Sequence, residues 1–197
     1  MLLEKLKKYN VYLASQSPRR QKLLEQMNID FLIASRVEVD EQYNFSLKRE
    51  EIAMYLSEKK SDAYEFLLKD NRLLITADTI VWIDNRVLGK PADKVEASNM
   101  LKMLSGKRHS VITGITLRTV NKKHTFFAST DVWFRKLTHE EIEFYIENYK
   151  PFDKAGAYGI QEWIGLSAIE KIEGSYFNVV GLPTEKLYVE LGKFLDI

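Results

Sequence analysis

A chain of 197 residues that is 45% hydrophobic and 29% charged has the make-up of an ordinary globular protein, long enough for a substantial core and read as one domain, residues 1–197, of two joined lobes. Its formal net charge of +1 gives no global pull toward nucleic acid, so any anion binding has to be local, and the lack of cysteine excludes disulfides, thiolate zinc sites and a cysteine nucleophile. The opening MLLEKLKKYN is too short and too charged for a signal peptide, and no apolar run reaches membrane-spanning length; both point to a cytoplasmic protein with no membrane partner.

Along the chain, Val11-Tyr12-Leu13-Ala14 is a short apolar strand that stops at a serine turn. Ser17 reads as the N-cap and Pro18 as the first residue of a helix whose first turn carries Arg19 and Arg20. Backbone N–H groups, the hydroxyls of Ser15 and Ser17 and two guanidinium forks then converge at one helix start. That arrangement suits phosphate, whereas cations there oppose the helix dipole. A capped helix with solvated arginines is the plainer alternative. Residues 30–35 predict a second strand, followed by an acidic loop over 38–45 and a helix over 46–68 with an apolar stripe.

Residues 73–83 predict a strongly apolar strand that reverses at Asp84-Asn85 into Val87-Leu88. Asp78 interrupts that strand's pattern. A buried carboxylate needs a partner, so Asp78 is either a functional acid or a solvent-facing one on an alternating strand. Gly89-Lys90-Pro91 fixes the backbone around one lysine, but without the glycine-rich loop of a P-loop; a hairpin exit with a solvated lysine is the simpler reading. Asp93 predicts the cap of a helix ending near Leu104, with Ser105-Gly106 as its stop. Two long strands over 109–120 and 124–136 form a hairpin, and Thr138 with Glu141 predicts a capping box for a helix through Asn148.

A glycine-rich segment follows, in which Asp153, Lys154 and Gln161 offer an acid, a cation and an amide. Further short strands and a helix after Pro183 complete the chain. This order of elements predicts an α/β (mixed α+β) fold around a mixed sheet. His109, His124 and His139 have no ligand spacing and are read as structural, and no serine elbow is present.

Several of these segments occur together in one order: SPRR at 17–20, Asp40-Glu41, ADT at 77–79, GKP at 89–91, LSG at 104–106 with His109, DKAGAYGIQ at 153–161 and GSYFNVVGLP at 174–183. With them the chain resembles the Maf family over nearly its whole length. The resemblance implies a nucleoside triphosphate pyrophosphatase with the fold of inosine triphosphate pyrophosphatases: an elongated, curved mixed sheet flanked by helices, two lobes and a cleft. It also implies a homodimer and a divalent metal, Mg2+ or Mn2+.

By the same resemblance Asp78 is the catalytic base that activates water. Arg19, Thr79 and Gln161 match positions that mark the branch acting on dTTP and UTP. Ser15, Arg20, Glu41, Lys60, Lys90, Asp153 and Lys154 fall at pocket positions, with Glu41 and Asp78 as oxygen ligands for the metal. Arg19, Arg20, Lys60, Lys90 and Lys154 would spread the charge of a triphosphate. Gln161 can pair with uracil or thymine, although a flipped amide would serve cytosine equally. Two departures stand out: Thr76 where many members have glycine, and Ser61-Asp62 after Lys60 where small or basic residues are usual. The competing readings are a methylated-guanosine or broad-range nucleotide pyrophosphatase, and a non-enzymatic cell-division regulator. A nucleic-acid partner is not expected.

Overall fold

The computed structural model describes residues 1–196. In chain order the elements are α1 (Leu2–Leu6), β1 (Asn10–Leu13), α2 (Pro18–Gln26), β2 (Leu32–Ile33), α3 (Glu50–Ala63), β3 (Arg72–Ile83), β4 (Arg86–Leu88), α4 (Lys94–Leu104), β5 (Arg108–Arg118), β6 (Lys123–Phe134), α5 (His139–Tyr149), α6 (Trp163–Ala168), β7 (Ile169–Glu173), α7 (Tyr176–Val180) and α8 (Thr184–Leu195). Seven strands form one mixed sheet in the order β2-β1-β3-β5-β6-β7, with β4 added to β3. β1 runs parallel to both β2 and β3, while β4 and β7 pair antiparallel with β3 and β6. This is the mixed α/β class expected from the alternation of elements. None of the helices among the described residues is long and apolar enough to cross a membrane.

The chain divides into two compact units. One comprises Met1–Asp78, Thr113–Ala128 and the stretch from Gly181 onward; the other comprises Thr79–Ile112 and Ser129–Val180. In the first unit, Ala14, Ala34, Leu74 and Tyr64 form a small apolar cluster, and the Tyr64 hydroxyl accepts the backbone N–H of Val37 at 3.0 Å. In the second, a larger cluster gathers α4, α5 and the inner faces of strands around Leu101, Leu104, Phe134 and Tyr145. Its helices start where side chains satisfy orphan N–H groups. Asp93 accepts from Glu96 N at 2.8 Å, and Thr138 and Glu141 form a complete capping box. The Asp84-Asn85 reversal has φ of 47° and 59°, the left-handed pair that a tight two-residue hairpin requires.

Three expectations change. The strand predicted over 30–35 shrinks to Leu32–Ile33, because it lies at the sheet edge with its two side chains 55% and 50% exposed and pairs only with Tyr12 and Leu13. The helix predicted over 46–68 starts at Glu50, since Arg49 stands at φ 49°, and gives way at Tyr64 to a single 3-10 turn over Glu65–Leu67. Ser17 sits at the N-cap of α2 with Pro18 behind it, but its side chain makes no cap bond. Its backbone N–H instead donates to the Ser15 hydroxyl at 3.3 Å.

The first unit depends on how α3 docks. Ala53, Ser57 and Ser61, spaced four apart and fully buried, give the helix a flat inner face. Gly114 of β5 lies beneath it: a Cβ there would stand 2.2 Å from the Ala53 carbonyl oxygen. The helix backbone therefore rests directly on the strand, a distance only glycine allows. Gly114→Ala is expected to cost about 3 kcal/mol through overpacking. Urea unfolding would register this as a lower midpoint with an unchanged slope.

Candidate active site

In the first unit the structure gathers Ser15, Arg20, Glu41, Lys60 and Asp78. Asp78 ends the first segment of that unit, in the middle of β3, and is only 8% exposed. Its carboxylate is ion-paired through Oδ1 with the Lys60 ammonium from α3. The same ammonium lies 2.8 Å from Glu41 Oε1, on the long segment between β2 and α3. One partly buried cation thus serves two carboxylates, which resolves the rule-breaking acid in the apolar strand. A neighbouring lysine, Lys59, holds Asp40 at 3.3 Å and the carbonyl of Gln42 at 3.0 Å, fixing the acidic loop from its other side.

Arg20 is built into the backbone. Its Nε donates to the Gly181 carbonyl and its Nη1 to the Ala77 carbonyl, both at 2.8 Å, while Nη1 also lies 3.4 Å from the Ser15 hydroxyl. Burial pulls its pKa below the ordinary arginine value, an effect opposed by the negative charges of Asp78 and Glu41 and reinforced by Arg19. The guanidinium therefore ties the turn after β1 to the residue just before Asp78. Gln16 and Gln21 pin the same turn, donating to the carbonyls of Ala34 and Ser15 at 3.1 and 3.2 Å. Arg19, the neighbouring cation, is half-buried.

The second unit holds Thr79, Lys90, Asp153, Lys154 and Gln161. Thr79 is half-buried, whereas Lys90 and Gln161 are exposed. The Gly89 carbonyl accepts Gly156 N at 3.0 Å, which joins the GKP and AGA segments. Gly156 itself has φ 68°, and a Cβ there would stand 2.9 Å from Val81, so the turn demands glycine. Lys154 is buried and pairs with Asp153 at 2.7 Å and with Glu162 at 3.1 Å. Glu162 also accepts the Tyr145 hydroxyl, and that hydroxyl accepts Gly159 N at 3.0 Å. Burial, then the hydrogen bond to Glu162, push the Tyr145 pKa up.

Glu162 and Tyr145 were not singled out in the sequence. Their only signal is Glu162's place directly after Gln161, since nothing in the spacing connects position 145 to position 159. His109 supports the same loop from β5, with its Nε2 2.8 Å from the hydroxyl of Tyr158 and its ring edge-on to Tyr158 and Phe134. The other histidines lie against carboxylates elsewhere, His124 Nε2 2.9 Å from Glu190 and His139 Nε2 3.4 Å from Glu143.

A family-implied divalent cation can be tested against these donors. Among the described residues no three His, Cys, Asp or Glu groups converge as a metal cage. Glu41 and Asp78 do converge on one positive centre, the Lys60 ammonium. Two carboxylates are the donor set magnesium uses when waters and substrate phosphates fill its remaining positions, so the residues fit such an ion.

A family model described as Maf-like protein matches residues 10–194. The chain belongs to the Maf family. Among curated Maf relatives, it is 51% identical over 196 residues to the dTTP/UTP pyrophosphatase of Christiangramia forsetii, covering 100% of both chains. It is 50% identical over 192 residues to that of Phocaeicola vulgatus, covering 98% of this chain and 100% of the relative. Among solved structures, a HAM1 protein from Coxiella burnetii is similar at 16% identity with a TM-score of 0.48, over 94% of this chain and 99% of that one. The last likeness is too loose to bear on the fold, which rests on the strands described above.

Burial holds the pKa of His109 down from its ordinary 6.5 to about 3, with the Asp131 charge acting weakly the other way. Between those values the unfolded chain takes up a proton that the folded chain does not, so the stability present above pH 6.5 is lost as pH falls toward 3. Urea midpoints measured across that range are expected to fall steadily with acidification. In His109→Gln the slope should be shallower.

Proposed function

We propose that this Maf protein hydrolyses dTTP and UTP to the nucleoside monophosphate and pyrophosphate. The observation that carries the reading is the buried Asp78 carboxylate, bound by Lys60 at one oxygen beside Glu41. The names of the relatives at about half identity over the full chain support the substrate assignment.

In this reading Asp78 is the general base. Lys60 engages Oδ1, so Oδ2 receives the proton as a water oxygen bonds to the α-phosphorus. The bond from that phosphorus to the bridging oxygen breaks, and pyrophosphate departs with the electron pair. Lys60 keeps the base oriented by pairing with Oδ1. Arg20 holds the Ala77 carbonyl and thereby the backbone on which Asp78 is mounted. Arg19 and Ser15 at the start of α2, and Thr79, Lys90, Asp153, Lys154 and Gln161 on the second unit, are proposed to bind the nucleotide. Gln161 would read the base by accepting from N3–H and donating to a ring carbonyl, the pattern common to uracil and thymine. A Mg2+ or Mn2+ held by Glu41 and Asp78 would supply charge neutralisation at the phosphate oxygens. A cytoplasmic homodimer belongs to the same proposal.

A panel of canonical and modified nucleoside triphosphates, assayed with magnesium for released pyrophosphate, is expected to give the highest kcat/KM on dTTP and UTP. Comparable turnover of purine triphosphates with little on UTP would overturn the substrate assignment. In labelled water the label should enter the monophosphate; label confined to pyrophosphate would contradict attack at the α-phosphorus. Asp78→Asn should lose at least a thousandfold in kcat, roughly the contribution of a general base together with its charge, while still binding nucleotide. Chelation by EDTA should abolish turnover, and added Mg2+ or Mn2+ should restore it.

A further inference from the structure

The active-site lysine is reached through a buried polar chain. Thr76, two residues before Asp78 on β3, donates its hydroxyl to the Ser57 carbonyl of α3 at 2.8 Å. The Ser57 hydroxyl donates to the Met54 carbonyl at 2.8 Å and lies 3.0 Å from the Thr116 hydroxyl on β5. The Thr116 hydroxyl in turn lies 3.0 Å from that of Thr125 on β6. Ser57 has a single hydroxyl proton and gives it to Met54, so Thr116 must be the donor to Ser57. Because Thr116 then has no further proton, Thr125 donates to Thr116. Ser57, Thr76 and Thr116 have no exposed surface at all.

Residue 57 is thus gripped from two strands, at its carbonyl by Thr76 and at its hydroxyl by Thr116. Lys60 follows one helical turn later, and Gly114 lets the same helix backbone lie flat on β5. We propose that Thr76 and Thr116, acting through Ser57, are positioning residues that set the register of α3 on the sheet and thereby hold the Lys60 ammonium against Asp78. The inference rests on the reading of Asp78 and Lys60 as reactive groups. The physical ground is that the small side chains of Ala53, Ser57 and Ser61 offer no interlocking bulk to stop the helix sliding by a fraction of an ångström. A directional bond in a dry interface, anchored to the strand that bears the base, removes that freedom.

Thr76→Val keeps shape and burial while removing the donor, and the Ser57 carbonyl retains its own helical N–H partner, so the variant is expected to fold. With dTTP and magnesium its kcat should fall roughly tenfold, as for a small misplacement of a reacting group, while KM stays within about twofold. Thr76→Ser, which restores the hydroxyl, should recover most of the loss. Thr125→Val removes a bond of the same chemistry that does not touch α3, and should retain the parent kcat. In a Lys60→Met background, already slow, adding Thr76→Val should produce no further drop, because the two changes act through one group.

Parent-like kcat in Thr76→Val would overturn the inference. So would an equal loss in Thr125→Val, or a further tenfold loss on top of Lys60→Met. Should Thr76→Val unfold, the comparison of Thr76→Ser with the parent, and Thr116→Val in the parent and Lys60→Met backgrounds, poses the same question. An active Asp78→Asn enzyme would instead sink the proposed chemistry. With Asp78→Asn dead and Thr76→Val unaffected, only the positioning inference fails.

Discussion

The structure of the first unit is organised around an ammonium group placed beside a carboxylate that the strand alone could not keep. Asp78 sits in a run of buried residues on β3, where hydration is nearly gone, and Lys60 substitutes for the lost water. Removing Lys60 would strip the buried Asp78 carboxylate of its ion-pair partner, whereas removing Asp78 would leave the ammonium with Glu41. That need explains why α3, the turn after β1 and the segment bearing Glu41 all arrive at the same few ångströms of strand. It also explains the use of lysine. A compact charge on a flexible stem can reach two acids at different heights, whereas a planar fork would impose its own geometry on them.

The second unit solves a similar problem with different parts. Lys154 is buried and balanced by Asp153 and Glu162, and the far oxygen of Glu162 is held by Tyr145, whose hydroxyl also receives Gly159 N. Here the charge pair stiffens a glycine-containing loop rather than a strand. The backbone bond from Gly156 N to the Gly89 carbonyl and the His109–Tyr158 contact brace the loop at other points, so segments distant in sequence are fixed by single directional bonds. Polar groups of this kind specify a geometry that apolar packing alone would leave loose.

What could be read in the sequence follows from how local each signal is. Asp93, Thr138 with Glu141 and Asp84-Asn85 act over three or four residues, and each forms the cap or turn its type dictates. Asp78 was legible because it violates its own strand. The start of α3 was hidden, since the apolar stripe continues upstream while the positive φ of Arg49, which no composition announces, stops the helix. Ser17 looked like a cap, yet its side chain makes no cap bond and its own N–H donates to the Ser15 hydroxyl. Glu162, Tyr145 and the partners of Arg20 were out of reach, because each depends on which chain segments meet. Thr76 is the instructive intermediate: the resemblance marked it as a departure from the family pattern, and the contact with Ser57 shows what its hydroxyl does here.

The resting place of α3 on β5 has a further implication for which sequences this fold admits. The atoms nearest a side chain at position 114 are the carbonyl oxygen and carbon of Ala53 and the amide nitrogen of Met54, all main chain. Crowding between two side chains can be relieved by trimming one of them, but a peptide unit cannot be trimmed. No companion substitution on the helix makes room, so sequence drift at 114 is closed to every chiral amino acid for as long as the helix keeps its seat.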